Sequence, residues 1–338
     1  MTLFALPILI LLMVSAIILL AFKRWKLASS LALVVLMLNW YWQVCPLHLY
    51  SGEEPTSRTF RVVTYNIYPD ADTTDMHYWQ DKMMQQIRVL NPDILCFQEF
   101  DPVRLADLED SICKYYNYTD EIKKERSYIK RRLYSRYPMY NIKRYNPVTT
   151  LDTTAFDASY YKSIKMHNIY QPFYSAAVAL PSGDSVTVFS CHLQSNGYST
   201  IRRSMKQTNS WLSGIPKYYN AVTTALDIRL WEAKELRMVL DSIGNNNPVI
   251  IAGDMNDFNS SPTLRTIMGV DFYDAWWKRG CGLGLTFYGQ GLMLRLDHVL
   301  YNKCLEPTNI VIGDSKLSDH RPIITDFKII EDKIKDKQ

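Results

Sequence analysis

Nearly all of the long apolar sequence in this 338-residue chain lies in its first 46 residues, and the remainder has an ordinary mixed composition. That asymmetry forces two unlike parts. From Thr2 to Phe22 no residue is charged, and such a run at helical rise covers a hydrocarbon core of about 30 Å. A cleaved leader would place basic residues before the run, a shorter apolar stretch and a small-x-small exit, and the chain has none of these. After Lys23-Arg24-Trp25-Lys26 a second uncharged run extends from Leu27 to Val44, closing on Asn39-Trp40-Tyr41-Trp42, aromatics suited to a headgroup interface. Residues 1–46 are therefore expected to form two transmembrane helices in a hairpin. The three positive charges between them place that loop in the cytoplasm and both chain ends, with all that follows, on the outer side of the membrane. One span plus an interfacial or buried helix is the competing arrangement, and it reverses the compartment.

Residues 47–58, with Ser51, Gly52, Glu53, Glu54 and Pro55, have the composition of a polar linker. Residues 59–330 read as one domain and residues 331–338 as a polar tail. With 38 basic against 34 acidic side chains the formal charge is +4, so any affinity for phosphate must be local rather than a property of bulk charge. The cysteines show no C-x-x-C spacing, which argues against a zinc site.

Short apolar runs rich in Val, Ile and Tyr alternate with loops and a few helical stretches. Phe60 to Ile67, Asp93 to Glu99, Ser185 to His192, Pro248 to Gly253, Arg295 to Tyr301 and Ile323 to Ile329 are predicted strands. Residues 79–90 and 219–243 carry helical periodicity. Strands outnumber helices, which points to a layered α/β or α+β sandwich. Within it the apolar strands end, one after another, in groups suited to a hard cation or a phosphate. Asn66, Glu99 and His192 close three of them. Gly253-Asp254-Met255-Asn256-Asp257, Arg295-Leu296-Asp297-His298 and Ser318-Asp319-His320-Arg321-Pro322 follow. Each alone reads as a turn residue, a cap or a satisfied core histidine. Their joint occurrence beside buried strands carries a desolvation cost that a metal ion, or the groups themselves, must offset.

Thr64-Tyr65-Asn66, Gln98-Glu99, His192-Leu193, Gly253-Asp254-Met255-Asn256, Asp297 and Ser318-Asp319-His320-Arg321-Pro322 together resemble the ordered motif set of the endonuclease/exonuclease/phosphatase family, over about residues 59–330. The resemblance implies a four-layer sandwich, two mixed β-sheets face to face with helices outside, and hydrolysis of phosphate esters with Mg²⁺ or Mn²⁺. By residue type, Glu99 offers a hard carboxylate to the ion, with Asn66 and Asp319 as its companions. Asp254 and Asn256, two apart on an extended segment, are expected to face the attacking water and a phosphoryl oxygen. His192 is a second phosphoryl donor. By the resemblance, Asp297 holds His320, and either Asp254 or His320 is the base.

Arg229 falls on the apolar stripe of its helix and is expected to pair inward as a buttress. Lys123, Lys124, Arg126, Lys130 to Arg132 and Arg136, with Arg202, Arg203 and Lys206, form basic runs whose default is a solvated face. The expected partners are a phosphodiester, either nucleic acid or a phospholipid headgroup, and the membrane. A catalytically silent scaffold on the same fold is the alternative from another class.

Overall fold

Period-two alternation explains why the strands read as unbroken apolar runs: successive side chains go to opposite faces, and both faces are covered. In the strand Val249–Asp254 every residue is buried. Ile250 and Ala252 enter a core between two sheets, whereas Ile251 enters a core beneath helices. The computed structural model describes residues 5–48, 59–69, 73, 75–119, 131–145, 172–195, 211–289 and 293–330.

Twelve strands are described: β1 Thr59–Asn66, β2 Ile94–Gln98, β3 Tyr118–Thr119, β4 Arg131–Ser135, β5 Met139–Tyr145, β6 Phe173–Ala179, β7 Ser185–His192, β8 Val249–Asp254, β9 Phe272–Asp274, β10 Asp297–Asn302, β11 Leu305–Ile312 and β12 Ile323–Ile329. They form two six-stranded sheets, ordered β11-β12-β1-β2-β4-β3 and β5-β6-β7-β8-β10-β9. Each is mixed. β1 and β2 run parallel at the middle of the first, β7 and β8 at the middle of the second, and the flanking pairs are antiparallel.

The helices are α1 Ala5–Ala21, α2 Trp25–Trp42, α3 Met76–Leu90, α4 Ala106–Tyr115, α5 Trp211–Ile243, α6 Pro262–Met268 and α7 Ala275–Arg279. α3 begins where the Asp75 side chain accepts the Tyr78 N–H and ends on Asn91 at φ 51°, a capping pair that Asp and Asn supply readily. α3 and α4 cover the first sheet through Trp79, Met83, Ile87, Leu108 and Ile112. α5 and α6 cover the second through Ala233, Leu236, Leu240, Leu264 and Ile267. Helix, sheet, sheet, helix is the expected four-layer order.

The expected transmembrane hairpin is not supported. The two apolar runs do form helices, but α1 has 17 residues and α2 has 18, and among the described residues no helix is long and apolar enough to cross a membrane. α2 carries Lys26, Ser29, Ser30 and Asn39 within its length. The segment leaving α2 is seated on the sandwich. Asn259 Nδ2 donates to the Gln43 carbonyl and to its side-chain oxygen, each at 3.1 Å, and the Gly282 N–H donates to the Pro46 carbonyl at 2.9 Å. The linker expected over 47–58 lies outside the described residues from 49 onward.

Gly253 on β8 is paired with Cys191 on β7. It has φ 146°, and a Cβ there would stand 1.9 Å from the Cys191 carbonyl oxygen. Gly253→Ala is expected to part the two strands and to lower the melting temperature by 10 °C or more, since an overpacked core position costs roughly 1–3 kcal/mol before backbone strain is added. Thermal denaturation checks this, and an unchanged melting temperature refutes it.

Candidate active site

Strand register assembles the site. In the row that closes the second sheet, His192 on β7 is paired with Asp254 on β8, and Asp254 with Asp297 on β10. Residues two and four back on each strand point into the core between the sheets, so these three do as well. The first sheet brings Asn66 and Gln98 into register at the ends of β1 and β2, with Glu99 next along the chain. The two sheets meet at this end. Asn66 Nδ2 donates to Asp254 Oδ2 at 3.0 Å and to Glu99 Oε1 at 3.2 Å. His192 Nε2 lies 3.7 Å from Glu99 Oε1 and 3.9 Å from Asp254 Oδ2.

The loop between β11 and β12 completes the cluster. Ser318 Oγ donates to the Asn66 carbonyl at 2.8 Å, fixing the loop to the end of β1. His320 Nδ1 and Asp297 Oδ2 are 2.8 Å apart, which turns His320 Nε2 toward Asp254 Oδ2 at 3.7 Å. Thr286 Oγ1 accepts the backbone N–H groups of Leu296 and Asp297. The Phe287 ring lies 5.0 Å from the His320 ring.

Burial and charge set the protonation states. Burial pushes the Asp254 carboxyl up to about 7, and the Asp297 charge adds to the rise against His320, the Asn256 N–H and Asn66. Burial alone would lower His320, but the charges of Asp297 and Asp254 outweigh it and raise it to about 10. Asp297 is lowered: burial works against its charge, and the neighbouring His320 prevails. Asp319 is raised by burial, opposed by His320 and reinforced by Glu99. The result is a buried imidazolium paired with one carboxylate and beside a second that exchanges its proton near neutrality.

All eight expected site residues are described. Asn66, Glu99, His192, Asp254, Asp297 and His320 converge in one contact network, and Asp319 adjoins it through its chain neighbours and its electrostatic coupling to Glu99. Asn256 differs. Its backbone N–H donates to Asp254 Oδ1 at 2.8 Å, it adopts φ 50°, and its Nδ2 donates to the Leu193 carbonyl at 3.0 Å. An Asx turn therefore replaces the expected extended segment, and the amide nitrogen ties β7 to β8 rather than facing the cleft. Glu99 also holds a positive φ, 55°, a conformation costly for a non-glycine residue and concentrated at functional sites.

The set fits a hard divalent cation. Asn66 Oδ1 is buried with no hydrogen-bond partner, and Glu99 and Asp319 approach one another closely enough for one to resist the other's ionisation. One unspent carbonyl oxygen beside two carboxylates is the donor type that Mg²⁺ or Mn²⁺ takes. Asp254, Asp297 and His320 also offer donor atoms within 4.8 Å of one another, but the Asp297–His320 contact already uses two of them.

A buried network behind the site was only half legible. Arg229 on α5 pairs inward as expected, with Nε 3.4 Å from Asp257 Oδ2 and Nη1 donating to the Gln194 carbonyl at 2.8 Å. Glu232, three residues on, accepts the Gln194 N–H at 2.9 Å. Asp257, which closes the Gly253 to Asp257 run but carries no role of its own in the sequence, proves to be the partner of Arg229. Of the expected basic runs, Lys123, Lys124, Arg126, Lys130, Arg202, Arg203 and Lys206 lie outside the described residues. Arg132 is not on a solvated face: it is buried and bound to Glu109 at 3.0 Å. Arg136 stacks over Tyr115.

The sequence profile of the Endonuclease/Exonuclease/phosphatase family matches residues 63–320. No curated protein matches the chain at a significant level. Among solved structures, an endonuclease/exonuclease/phosphatase from Bacteroides vulgatus has a TM-score of 0.57 at 16% identity, covering 80% of this chain and 99% of that one. Humanized D. rerio TDP2 has a TM-score of 0.55 at 16% identity, covering 80% and 100%. D. rerio TDP2 complexed with single strand DNA product has a TM-score of 0.55 at 13% identity, covering 80% and 99%. At these identities the likeness is one of fold.

Proposed function

Because the chain belongs to the Endonuclease/Exonuclease/phosphatase family, we propose that it is a divalent-metal-dependent phosphodiesterase in which Asp254 deprotonates the attacking water. The observation that carries this reading is the meeting of Asn66, Glu99, His192, Asp254 and His320 at one end of the two sheets. Glu99 and Asn66 Oδ1, with Asp319 beside them, would hold the ion, which when bound supplies charge neutralisation at the phosphoryl group.

The chain's own groups divide the remaining work. Asp254, raised to about 7, is basic enough to take a proton from water and acidic enough to return it at neutral pH. His320, held protonated by Asp297 and Asp254, presents Nε2–H toward the cleft and stabilises negative charge on a phosphoryl oxygen. His192, a fifth exposed at its side chain, is placed to donate to another. Asn256 keeps the ends of β7 and β8 at fixed separation.

Nucleic acid and a phospholipid headgroup both present such a phosphodiester, and the single strand DNA product in D. rerio TDP2 favours the first. Attachment to a lipid surface is proposed from α1 and α2. Leu11, Ile17, Leu36 and Met37 are each more than half exposed, and apolar side chains exposed together are the mark of an interaction surface. Co-sedimentation of the full chain with phospholipid vesicles tests the attachment, and a chain left in the supernatant refutes it.

The catalytic reading is tested on bis(4-nitrophenyl) phosphate. Hydrolysis is expected with Mg²⁺ or Mn²⁺ and is expected to vanish with chelator. Mg²⁺ should also raise the melting temperature of the wild type and not that of Glu99→Gln, since neutralising the Glu99–Asp319 repulsion is part of the gain. Inactivity with every divalent ion, together with no thermal shift, overturns the proposal.

A further inference from the structure

Beside the catalytic cluster lies a planar cationic surface that the chemistry above does not use. The Arg321 guanidinium sits over the Tyr288 ring at 4.0 Å from its centroid, and Nη1 donates to the Tyr288 hydroxyl at 3.3 Å. Both side chains reach solvent, Tyr288 at 36% and Arg321 at 32% exposure. Their backbones are keyed to the site. The Tyr288 N–H donates to the Asp319 carbonyl at 2.7 Å and the Arg321 N–H to the Thr286 carbonyl at 2.7 Å, on either side of the Phe287–His320 bridge. The pair is thus held next to Asp319 and His320 by the same short segments.

We infer that Tyr288 and Arg321 form a stacking platform for an unpaired base next to the scissile phosphodiester, which makes single-stranded nucleic acid the substrate class; the inference rests on the phosphodiesterase reading. A nucleobase offers a π-face to a tyrosine ring or to a guanidinium plane, and the contact tolerates any sequence. A base inside a duplex is already stacked on both faces, so the platform selects for strands that are open. An inositol phosphate would use the charge of Arg321 but has no plane to set against Tyr288. The Asp314 carboxylate, 3.5 Å from Arg321 Nη2 and 83% exposed, is too well solvated to cancel the guanidinium charge.

The test uses the full chain with Mg²⁺ and two short single-stranded oligodeoxynucleotides that share one cleavable phosphodiester. One carries bases on both flanking nucleotides, and the other is abasic there. The wild type should cleave the base-bearing strand with a kcat/KM roughly ten- to a hundredfold higher, the difference lying in KM. Tyr288→Ala should bring that strand down to the abasic rate, while Tyr288→Phe, which keeps the ring, should retain the preference. Equal cleavage of the two strands by the wild type overturns the platform while leaving the phosphodiesterase reading intact. Faster turnover of phosphoinositide or sphingomyelin vesicles than of either strand overturns it in favour of a lipid substrate. Failure to hydrolyse the strands, the vesicles and bis(4-nitrophenyl) phosphate alike overturns both.

Discussion

Asp254→Asn is expected to lower hydrolysis by about 10³-fold, the scale of losing a positioned base, while leaving the metal-free chain at least as stable as the wild type at neutral pH. The two effects have one cause. Asp254 is almost fully buried and its carboxyl is raised from 3.8 to about 7, so the folded state holds a proton that the unfolded chain releases. Its contribution to stability is absent below about pH 4, grows more unfavourable as pH rises to about 7, and stays at its full penalty above that. A shift of this size corresponds to a few kcal/mol at most. An amide does not titrate, and its oxygen can still accept the Asn256 N–H that Asp254 Oδ1 accepts at 2.8 Å. Asn66 can turn its unpartnered Oδ1 toward the new NH₂ group. His320 adds a second slope. Its pKa is raised from 6.5 to about 10, so its stabilising contribution is complete below 6.5 and is lost as pH climbs through 10. In the variant this upper decline should end at lower pH and be smaller, because one of the two carboxylates holding the imidazolium is gone. Melting temperatures between about pH 4 and 9 in chelator check both slopes. A variant that keeps a tenth of the wild-type rate, or that loses stability between pH 4 and 7 as the wild type does, refutes the assignment.

What the sequence disclosed depends on whether a side chain or a backbone atom does the work. Asn66, Glu99, His192 and Asp254 were legible because each interrupts an apolar strand with a group that burial penalises, and the register of parallel strands then aligns such ends without further information. Asp297 was legible through resemblance, and its register opposite Asp254 supplies the physical reason for its place. Asn256 departs from the expectation because alternation was carried past the end of the strand at Asp254. The Asp254 side chain captures the next amide but one and turns the chain into the left-handed region. β6, between β5 and β7, escaped notice because Ser175, Ala176 and Ala177 give it little apolar contrast, although all but its last residue is buried. The N-terminal runs were legible as two helices from hydropathy, whereas a membrane span is not supported among the described residues.

Arg229→Met is expected to cost about 3–5 kcal/mol, the scale for breaking a buried ion pair by removing one partner. Arg229 and Asp257 are exposed by only 1% and 3% at their side chains. Without the guanidinium, Asp257 keeps Thr263 Oγ1 at 2.7 Å and the Phe258 N–H at 2.9 Å but loses its cation, and the Gln194 carbonyl loses its donor. Adding Asp257→Asn removes the stranded charge, so the double variant should recover part of the loss. The coupling in that cycle should be about 1–3 kcal/mol, as for residues in direct contact; single changes that add to within about 0.5 kcal/mol would show that the pair is not a unit. Catalysis should register the same break. Arg229 and Glu232 grip the carbonyl and the N–H of Gln194, two residues beyond His192, and Arg229 also holds Asp257, the residue after Asn256. Loosening that grip lets the ends of β7 and β8 drift apart, so His192 and Asp254 leave their common row, while Tyr288 and Arg321, tied to a different loop, stay in place. The rate constant should therefore fall by roughly tenfold or more in the folded variant with little change in KM, because a misplacement of about 1 Å is felt in the transition state. A purely structural role predicts the reverse: lower stability with an unchanged kcat per folded molecule.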